Sequence, residues 1–88
     1  MKTIWKYSVQ LDDRFAVSMP AGAKVLAVQT QFGSPVVWAL VNPGAERVER
    51  KFRLVGTGHE IELSGYLYVG TFQTPFGLVF HLFVEEEK

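Results

Sequence analysis

The chain contains no cysteine, so a disulfide framework, a thiolate zinc site and a cysteine nucleophile are all excluded. An excess of one charge is also missing, because nine basic residues balance nine acidic ones. Proteins that bind long nucleic acid normally carry a basic face that displaces counterions, so we expect no such partner. A small anion held at one point remains compatible with this composition.

Long apolar runs are absent as well. No stretch approaches the roughly 20 apolar residues that cross a bilayer as a helix, so no membrane partner is expected. The segment from Met1 to Trp5 is too short and too polar to open a signal peptide. These features predict a cytoplasmic protein.

The length of 88 residues predicts one domain with a small core. We place that domain at residues 1–84 and a charged tail at residues 85–88. The hydrophobic share is 48%, enough to fill a core and leave apolar surface for an interface. Small domains often gain stability by self-association, so a homo-oligomer is expected.

Apolar residues alternate or form short runs between turn residues, which is typical of β-strands. The predicted strands are residues 3–9, 14–19, 24–32, 36–41, 47–55, 66–73 and 78–84. Residues 60–64 are ambiguous and could form a short extended piece. Short loops joining six or seven strands predict an all-β fold, a single antiparallel sandwich or a small barrel.

The side-chain pattern also assigns faces to these strands. Residues 36–41 are apolar throughout, so that strand is expected to be central, with Trp38 in the core. Strict alternation in residues 24–32 would place Val25 and Ala27 on one face, and Leu26 and Val28 on the other. On residues 47–55 the face expected to be wet carries Arg47, Glu49, Lys51, Arg53 and Val55.

The most distinctive motif is Gly56-Thr57-Gly58-His59. Two glycines allow successive N–H groups to point at one anion, and the threonine hydroxyl and the imidazole add donors. Arg53 precedes this loop and Lys51 shares its face, so together they are candidates to hold a phosphate. The alternative is an ordinary glycine-rich turn with a surface histidine, because the helix that a P-loop requires is missing.

Aromatic residues give the second candidate feature. Because bases stack on aromatic faces, six residues are candidates to hold a base: Trp5, Tyr7, Tyr66, Tyr68, Phe72 and Phe76. Ordinary packing in the core or at an interface explains the same residues. Tyrosine and tryptophan also dominate protein–protein hot spots, so these residues serve a ligand hypothesis and a protein-partner hypothesis equally.

Nothing in the sequence makes a positive case for an enzyme. His81 is flanked by apolar residues and is expected to be a partly buried side chain. Two histidines without carboxylates at ligand spacing are weak evidence for a metal, and no cofactor is predicted. A small phosphoesterase that uses His59 and His81 is the least favoured hypothesis.

Several segments together resemble an uncharacterised family of short proteins encoded in bacteriophage and prophage genomes. They are Lys2-Thr3-Ile4-Trp5-Lys6-Tyr7, Phe52-Arg53-Leu54-Val55-Gly56-Thr57-Gly58-His59, Gly70-Thr71-Phe72-Gln73 and Leu78-Val79-Phe80-His81. The resemblance covers nearly the whole chain and carries no established activity. It implies an accessory protein of a virus that infects bacteria, in the cytoplasm of the infected cell.

Two functions follow as expectations. The first is a binding protein that sequesters a small anionic ligand such as a host immune signalling nucleotide. Its site would comprise Lys51, Arg53, Gly56, Thr57, Gly58 and His59, with Trp5 or Tyr7 on the base. The second is a protein–protein interaction module that inhibits a host defence or regulatory protein through an aromatic patch or a free sheet edge.

Overall fold

The computed structural model describes residues 1–87 and contains seven β-strands and no helix in that range. All strand pairs are antiparallel. The strands are β1 (Thr3–Ser8), β2 (Arg14–Pro20), β3 (Lys24–Gln31), β4 (Ser34–Val41), β5 (Arg47–Gly56), β6 (Tyr66–Gln73) and β7 (Val79–Glu85). The prediction of an all-β antiparallel fold is confirmed.

The strands form two sheets that pack face to face as a sandwich. One sheet has three strands in the order β1-β4-β3, and the other has four in the order β2-β5-β7-β6. Edge strands β3 and β6 lie against each other, so the sheets come together along one side. The arrangement is a sandwich and not a closed barrel, because no ladder joins the two sheets.

The core lies between the two sheets and is built from alternate residues of each strand. In the four-stranded sheet, Phe15 of β2 stacks on Phe52 of β5 with ring centroids 5.1 Å apart. Met19 and Leu82 are fully buried beside them, and Val37 of the opposite sheet is 1% exposed. The inner faces of β2 and β5 are thereby fixed, which fixes their outer faces too.

The core prediction was wrong for Trp38. On β4 the buried alternation is Val37, Ala39 and Val41, while Trp38 lies half-exposed on the outer face opposite Lys6. A strand that is apolar on both faces gives no alternation from which to choose the inner one. Side-chain size favours Trp38 as the core residue of this strand, but the smaller Val37, Ala39 and Val41 fill the core instead.

Strict alternation was also wrong for β3. The ladder with β4 shifts register between Val25 and Ala27, which is a β-bulge. The extra residue lets Val25 and Val28 both pack inward, although they are an odd number of positions apart. Leu26, at the bulge, is exposed.

The last two strands form a hairpin. Its strands β6 and β7 pair around a tight turn closed by the Gly77 N–H donating to the Thr74 carbonyl at 3.0 Å. A second bulge lies between Tyr68 and Gly70. A Cβ placed on Gly70 would lie 2.8 Å from Val28 Cγ1, so glycine is what allows β6 to approach β3 so closely.

The C-terminal segment is bound to the sandwich. Strand β7 continues to Glu85, one residue beyond the predicted end of the domain. The Glu87 carboxylate accepts a hydrogen bond from Arg50 at 3.1 Å and another from the Gly22 N–H at 2.7 Å. Residue 88, the last of the predicted charged tail, lies outside the described residues.

Candidate functional site

Two arginines face each other across the outer surface of the β2–β5 ladder. Arg14 is directly opposite Arg53 in the register, one step from the buried Phe15–Phe52 pair. Because neighbouring residues on a strand point to opposite faces, both arginines point away from the core. Like charges directly opposite on adjacent strands are destabilising, so this pair is unfavourable unless something neutralises it.

No carboxylate of the described chain neutralises the pair. Within residues 1–87 the one ion pair closer than 4.0 Å joins Arg50 to Glu87, on the other face of β5. The guanidinium of Arg53 makes a long contact from Nη1 to the Glu62 carbonyl, 3.4 Å, and lies 6.0 Å from the centroid of the Tyr66 ring. Its Nε is buried without a hydrogen-bond partner.

Both arginines line one polar cleft of about 190 Å³. The crossover between β5 and β6 forms its other wall, with His59, Glu60 and Ile61. Asp13 also borders the cleft, so the lining mixes two carboxylates with two guanidinium groups and an imidazole. Among the described residues, the two guanidinium groups and the imidazole form no ion pair in this cleft, so their N–H donors are available to a bound anion.

A second cleft of about 410 Å³ adjoins the first and shares Arg14 with it. Ala16, Lys51 and Tyr66 also line the second cleft. Lys51 is directly opposite Ala16 in the ladder. The structure therefore brings Lys51, Arg53 and His59 of the predicted site around one surface, and it adds Arg14 and Tyr66.

The Gly56–His59 loop is less open than the sequence suggests. The Thr57 N–H donates to the Val79 carbonyl and the His59 N–H donates to the Gly56 carbonyl, at 3.3 and 3.2 Å. Gly58 has a φ of +90°, which favours glycine. The His59 ring packs over Gly56, where a Cβ would lie 3.2 Å from its Cε1. Two of the loop's N–H groups thus serve the fold.

His81 belongs to a separate hydrogen-bonded chain on the same outer face. Its Nε2 is 2.7 Å from Thr57 Oγ1 and its Nδ1 is 2.8 Å from Thr71 Oγ1. The Tyr68 hydroxyl lies 2.6 Å from the same Thr71 oxygen. His81 is half-buried, as expected, and both of its ring nitrogens are hydrogen-bonded to threonine hydroxyls. Within residues 1–87 no hydrogen bond joins His59 to His81.

Trp5 and Tyr7 lie away from this surface. Both are on β1 in the three-stranded sheet, packed against the core. The Arg47 guanidinium stacks over the Trp5 ring at 5.0 Å from its centroid. Burial raises the pKa of Tyr7, and the nearby Arg47 charge opposes part of that shift. The structure does not bring either aromatic ring to the Gly56–His59 loop.

Sequence reasoning missed Arg14, and it counted Tyr66 among the candidate stacking residues without placing it in the site. The alternation of residues 14–19 does place Arg14 on the face opposite Phe15. Its pairing with Arg53 depends on how two distant strands align, which the pattern does not encode. Tyr66 reaches Arg53 only because the crossover returns β6 to the same sheet.

Comparison with known proteins gives a family and no function. A family model described as a domain of unknown function, DUF7352, matches residues 1–88. The chain belongs to the DUF7352 family. The predicted membership of an uncharacterised family is therefore confirmed. No curated protein matches the chain, and no solved structure does.

Residues 1–87 contain no helix long and apolar enough to cross a membrane. In the same range no three histidine or carboxylate side chains are grouped so as to hold a metal ion.

Proposed function

We propose that this DUF7352 protein binds a small anionic ligand in the cleft between β2, β5 and the β5–β6 crossover. The observation that carries the proposal is the Arg14–Arg53 pair, two arginines directly opposite in the register on one face, with no ion-pair partner among residues 1–87. Cross-strand charge pairs are worth about 0.2–1 kcal/mol, so the free protein bears a small electrostatic cost here. An anion between the two groups would offset it.

Phosphate is the anion that these groups suit best. Guanidinium groups hold phosphate through paired, charge-assisted hydrogen bonds. Arg53 supports this role with a buried Nε that has no partner, and His59 and Lys51 supply further donors beside it. No nucleophile with an adjacent base lines the cleft, so we propose binding without catalysis.

A nucleotide is the proposed ligand class. Tyr66 lines the neighbouring cleft together with Lys51 and the small Ala16, and the cleft volume of about 410 Å³ gives a base room to lie against the ring. This assigns stacking to Tyr66 in place of Trp5 or Tyr7. In the phage context that the sequence resemblance implies, such a protein would sequester a host immune signalling nucleotide.

The proposal is tested by titrating labelled protein with inorganic phosphate, AMP and adenosine while following the backbone amide resonances. We expect AMP to shift the amides of β2, β5 and residues 59–61 and to bind more tightly than phosphate. R14Q and R53Q should each weaken AMP binding at least about tenfold. R47Q is the matched control, because Arg47 lies on the same strand but stacks on Trp5.

Unchanged AMP affinity in both R14Q and R53Q would show that the arginine pair is not the site. Equal weakening by R47Q would show that only general attraction between charges is being measured. Cyclic dinucleotides are then titrated in the same way to test the signalling-nucleotide class.

A second candidate function is a protein–protein interaction module, favoured by one feature at a tip of the sandwich. Phe32, in the β3–β4 turn, has a φ of +52° and is 99% exposed. A Cβ placed on Gly33 would lie 3.4 Å from Pro75 Cγ, so this turn adjoins the β6–β7 turn, whose Phe76 is 90% exposed. Two projecting phenylalanines are typical anchors for a protein pocket.

This candidate is tested with F32S and F76S in a co-purification from infected host cells. A single host protein recovered with the wild type and lost with both variants, but retained by L26S, would support it. Recovery that is the same for all four proteins would exclude the tip as the binding surface.

A further inference from the structure

The sandwich has four edge strands, and three of them are protected from pairing with another chain. β3 and β6 lie against each other. β1 carries Lys2 just before it and Lys6 within it, and charged lysines on an edge discourage strand addition. The fourth edge, β2, has neither kind of cover along its middle. Its one charge is at Arg14 and its proline is at Pro20, one at each end.

The free hydrogen-bonding groups of β2 belong to its even-numbered residues. The Leu54 N–H donates to the Asp13 carbonyl and the Ala21 N–H donates to the Glu46 carbonyl. Antiparallel strands alternate between residues bonded to the partner and residues bonded away from it. Odd-numbered residues of β2 therefore bond to β5, and the N–H and C=O groups of Arg14, Ala16 and Ser18 point to the open edge.

We propose that the β2 edge pairs antiparallel with β2 of a second copy of this chain, about a two-fold axis at Ala16. In that register Ala16 faces its own counterpart and Arg14 faces Ser18 of the second copy. Each of these pairs exchanges two backbone hydrogen bonds and satisfies the open edge of both copies. The even-numbered side chains of both copies stay on the outer face.

Self-complementarity is what selects a second copy as the occupant. An isologous contact must oppose residue i to j and j to i, and this register does so without bringing like charges together. The outward side chains at the centre, Ala16 and Ser18, are small and exposed, so they offer no obstacle. Moving the axis to bring Arg14 opposite its counterpart would add two like charges and lose most of the ladder.

The dimer would also complete the site, and this part of the inference rests on the proposed function. Arg14 borders both clefts. Ser18 of the second copy would lie directly across from it and place a hydroxyl beside the guanidinium. Two ligand sites would then lie on one continuous outer face formed by eight strands. Anion binding and dimerisation would strengthen each other by the same factor.

The ladder alone is small compared with a standard interface, which buries about 800 Å² per partner. The dimer should therefore be reversible and depend on protein concentration. Sedimentation equilibrium of the wild type over a wide concentration range is expected to show a monomer–dimer equilibrium with no higher species.

Two variants test the edge, and one controls for it. A16K places like charges opposite each other at the axis, and S18P removes an open-edge N–H donor without touching a bond to β5. Each should raise the dimer dissociation constant at least about tenfold. I4K puts the same charge on β1, an edge that Lys2 and Lys6 already protect, and should leave the dissociation constant unchanged. Far-ultraviolet circular dichroism confirms that each variant tested is folded.

A wild type that stays monomeric up to about 1 mM, or a dimer that both A16K and S18P leave intact, would overturn the inference. Disruption by I4K alone would assign the contact to β1. AMP titration of S18P separates this result from the proposed function. A monomeric S18P that still binds AMP with weakened affinity supports both proposals, and one that binds with unchanged affinity removes Ser18 from the site.

Discussion

Arg50 and Arg53 are three residues apart on β5 and therefore lie on opposite faces of the same sheet. Arg50 points inward and is 6% exposed, whereas Arg53 points outward and is half-buried. Arg50 donates to the Ala23 carbonyl at 2.6 Å, to the Glu85 carbonyl at 3.1 Å and to the Glu87 carboxylate at 3.1 Å. Within residues 1–87 the Arg53 side chain makes one hydrogen bond, which is long at 3.4 Å, and Arg53 lies opposite another arginine.

The difference shows what each environment demands of a charge. A guanidinium in the interior must be paired and hydrogen-bonded, because removing it from water is costly. Arg50 meets most of that demand through three hydrogen bonds, although its buried Nε has no partner among the described residues. It joins the β2–β3 turn, β5 and the C-terminal segment. At the surface water offsets most of the cost, so an unpaired arginine pair can persist without serving the fold. Arg50 is thus structural, and the Arg14–Arg53 pair is available to a ligand.

The largest expected effect on stability comes from removing the hydrogen bonds of the buried Arg50. R50M should lower the free energy of unfolding by about 3 kcal/mol, because it removes the ion-pair partner of Glu87 and the side-chain donor to two carbonyls. Urea unfolding measures the loss. AMP binding by the folded fraction should be unchanged.

E87Q is the graded control for this prediction. It keeps a hydrogen-bonding side chain and removes only the charge, so a loss of about 1 kcal/mol is expected. A fully stable R50M would contradict the structural role of Arg50.

Tyr7 tests the same requirement that buried polar groups be hydrogen-bonded, since its hydroxyl is buried without a partner. Y7F removes the unsatisfied group, so it should raise the free energy of unfolding by about 1 kcal/mol. Burial raises the folded-state pKa of Tyr7 above its ordinary value of 10.0. The unfolded chain therefore ionises first, so stability is unaffected by the ionisation of Tyr7 below pH 10 and falls as the pH rises through the folded-state pKa.

The pH profile separates Tyr7 from other groups that titrate in alkali. Wild-type stability should fall more steeply than that of Y7F above pH 10. Parallel curves would show that the Tyr7 hydroxyl is solvated in the folded protein.

Phe32 tests how much strain the surface tolerates. Its positive φ is unfavourable for a bulky residue and costs about 1 kcal/mol, whereas asparagine adopts that conformation readily. F32N should therefore raise the midpoint of thermal unfolding by several degrees. The matched control F76N, in the neighbouring turn, should leave the midpoint unchanged. A lower midpoint in F32N would mean that the ring contributes packing within the chain.

The smallest expected effect on stability concerns the Arg14–Arg53 pair itself. In low-salt buffer without multivalent anions, R14Q should raise the free energy of unfolding by about 0.5 kcal/mol, because it removes the repulsion on Arg53. The gain should vanish at high salt, where charges on the surface are screened. A loss of stability in R14Q would show that Arg14 has a favourable partner in the fold.

The sequence was sufficient for the fold class because alternation and turn residues recur along the whole chain. It was sufficient for Arg53, Lys51 and His59 as neighbours because they are close in sequence. Arg14 and Tyr66 depend on the alignment of strands far apart in the chain, which no local pattern records. Trp38 was misplaced because β4 is apolar on both faces, and Val25 and Val28 because a bulge interrupts β3.

The most direct test of the central claim is the free energy of unfolding at increasing pyrophosphate concentration, at constant ionic strength, for the wild type, R53Q and R47Q. If the Arg14–Arg53 pair binds anions, the wild type and R47Q should gain about 2.7 kcal/mol when the ligand reaches one hundred times its dissociation constant, and R53Q should gain far less. Three parallel curves would contradict the account, because they would show that pyrophosphate acts without the arginine pair.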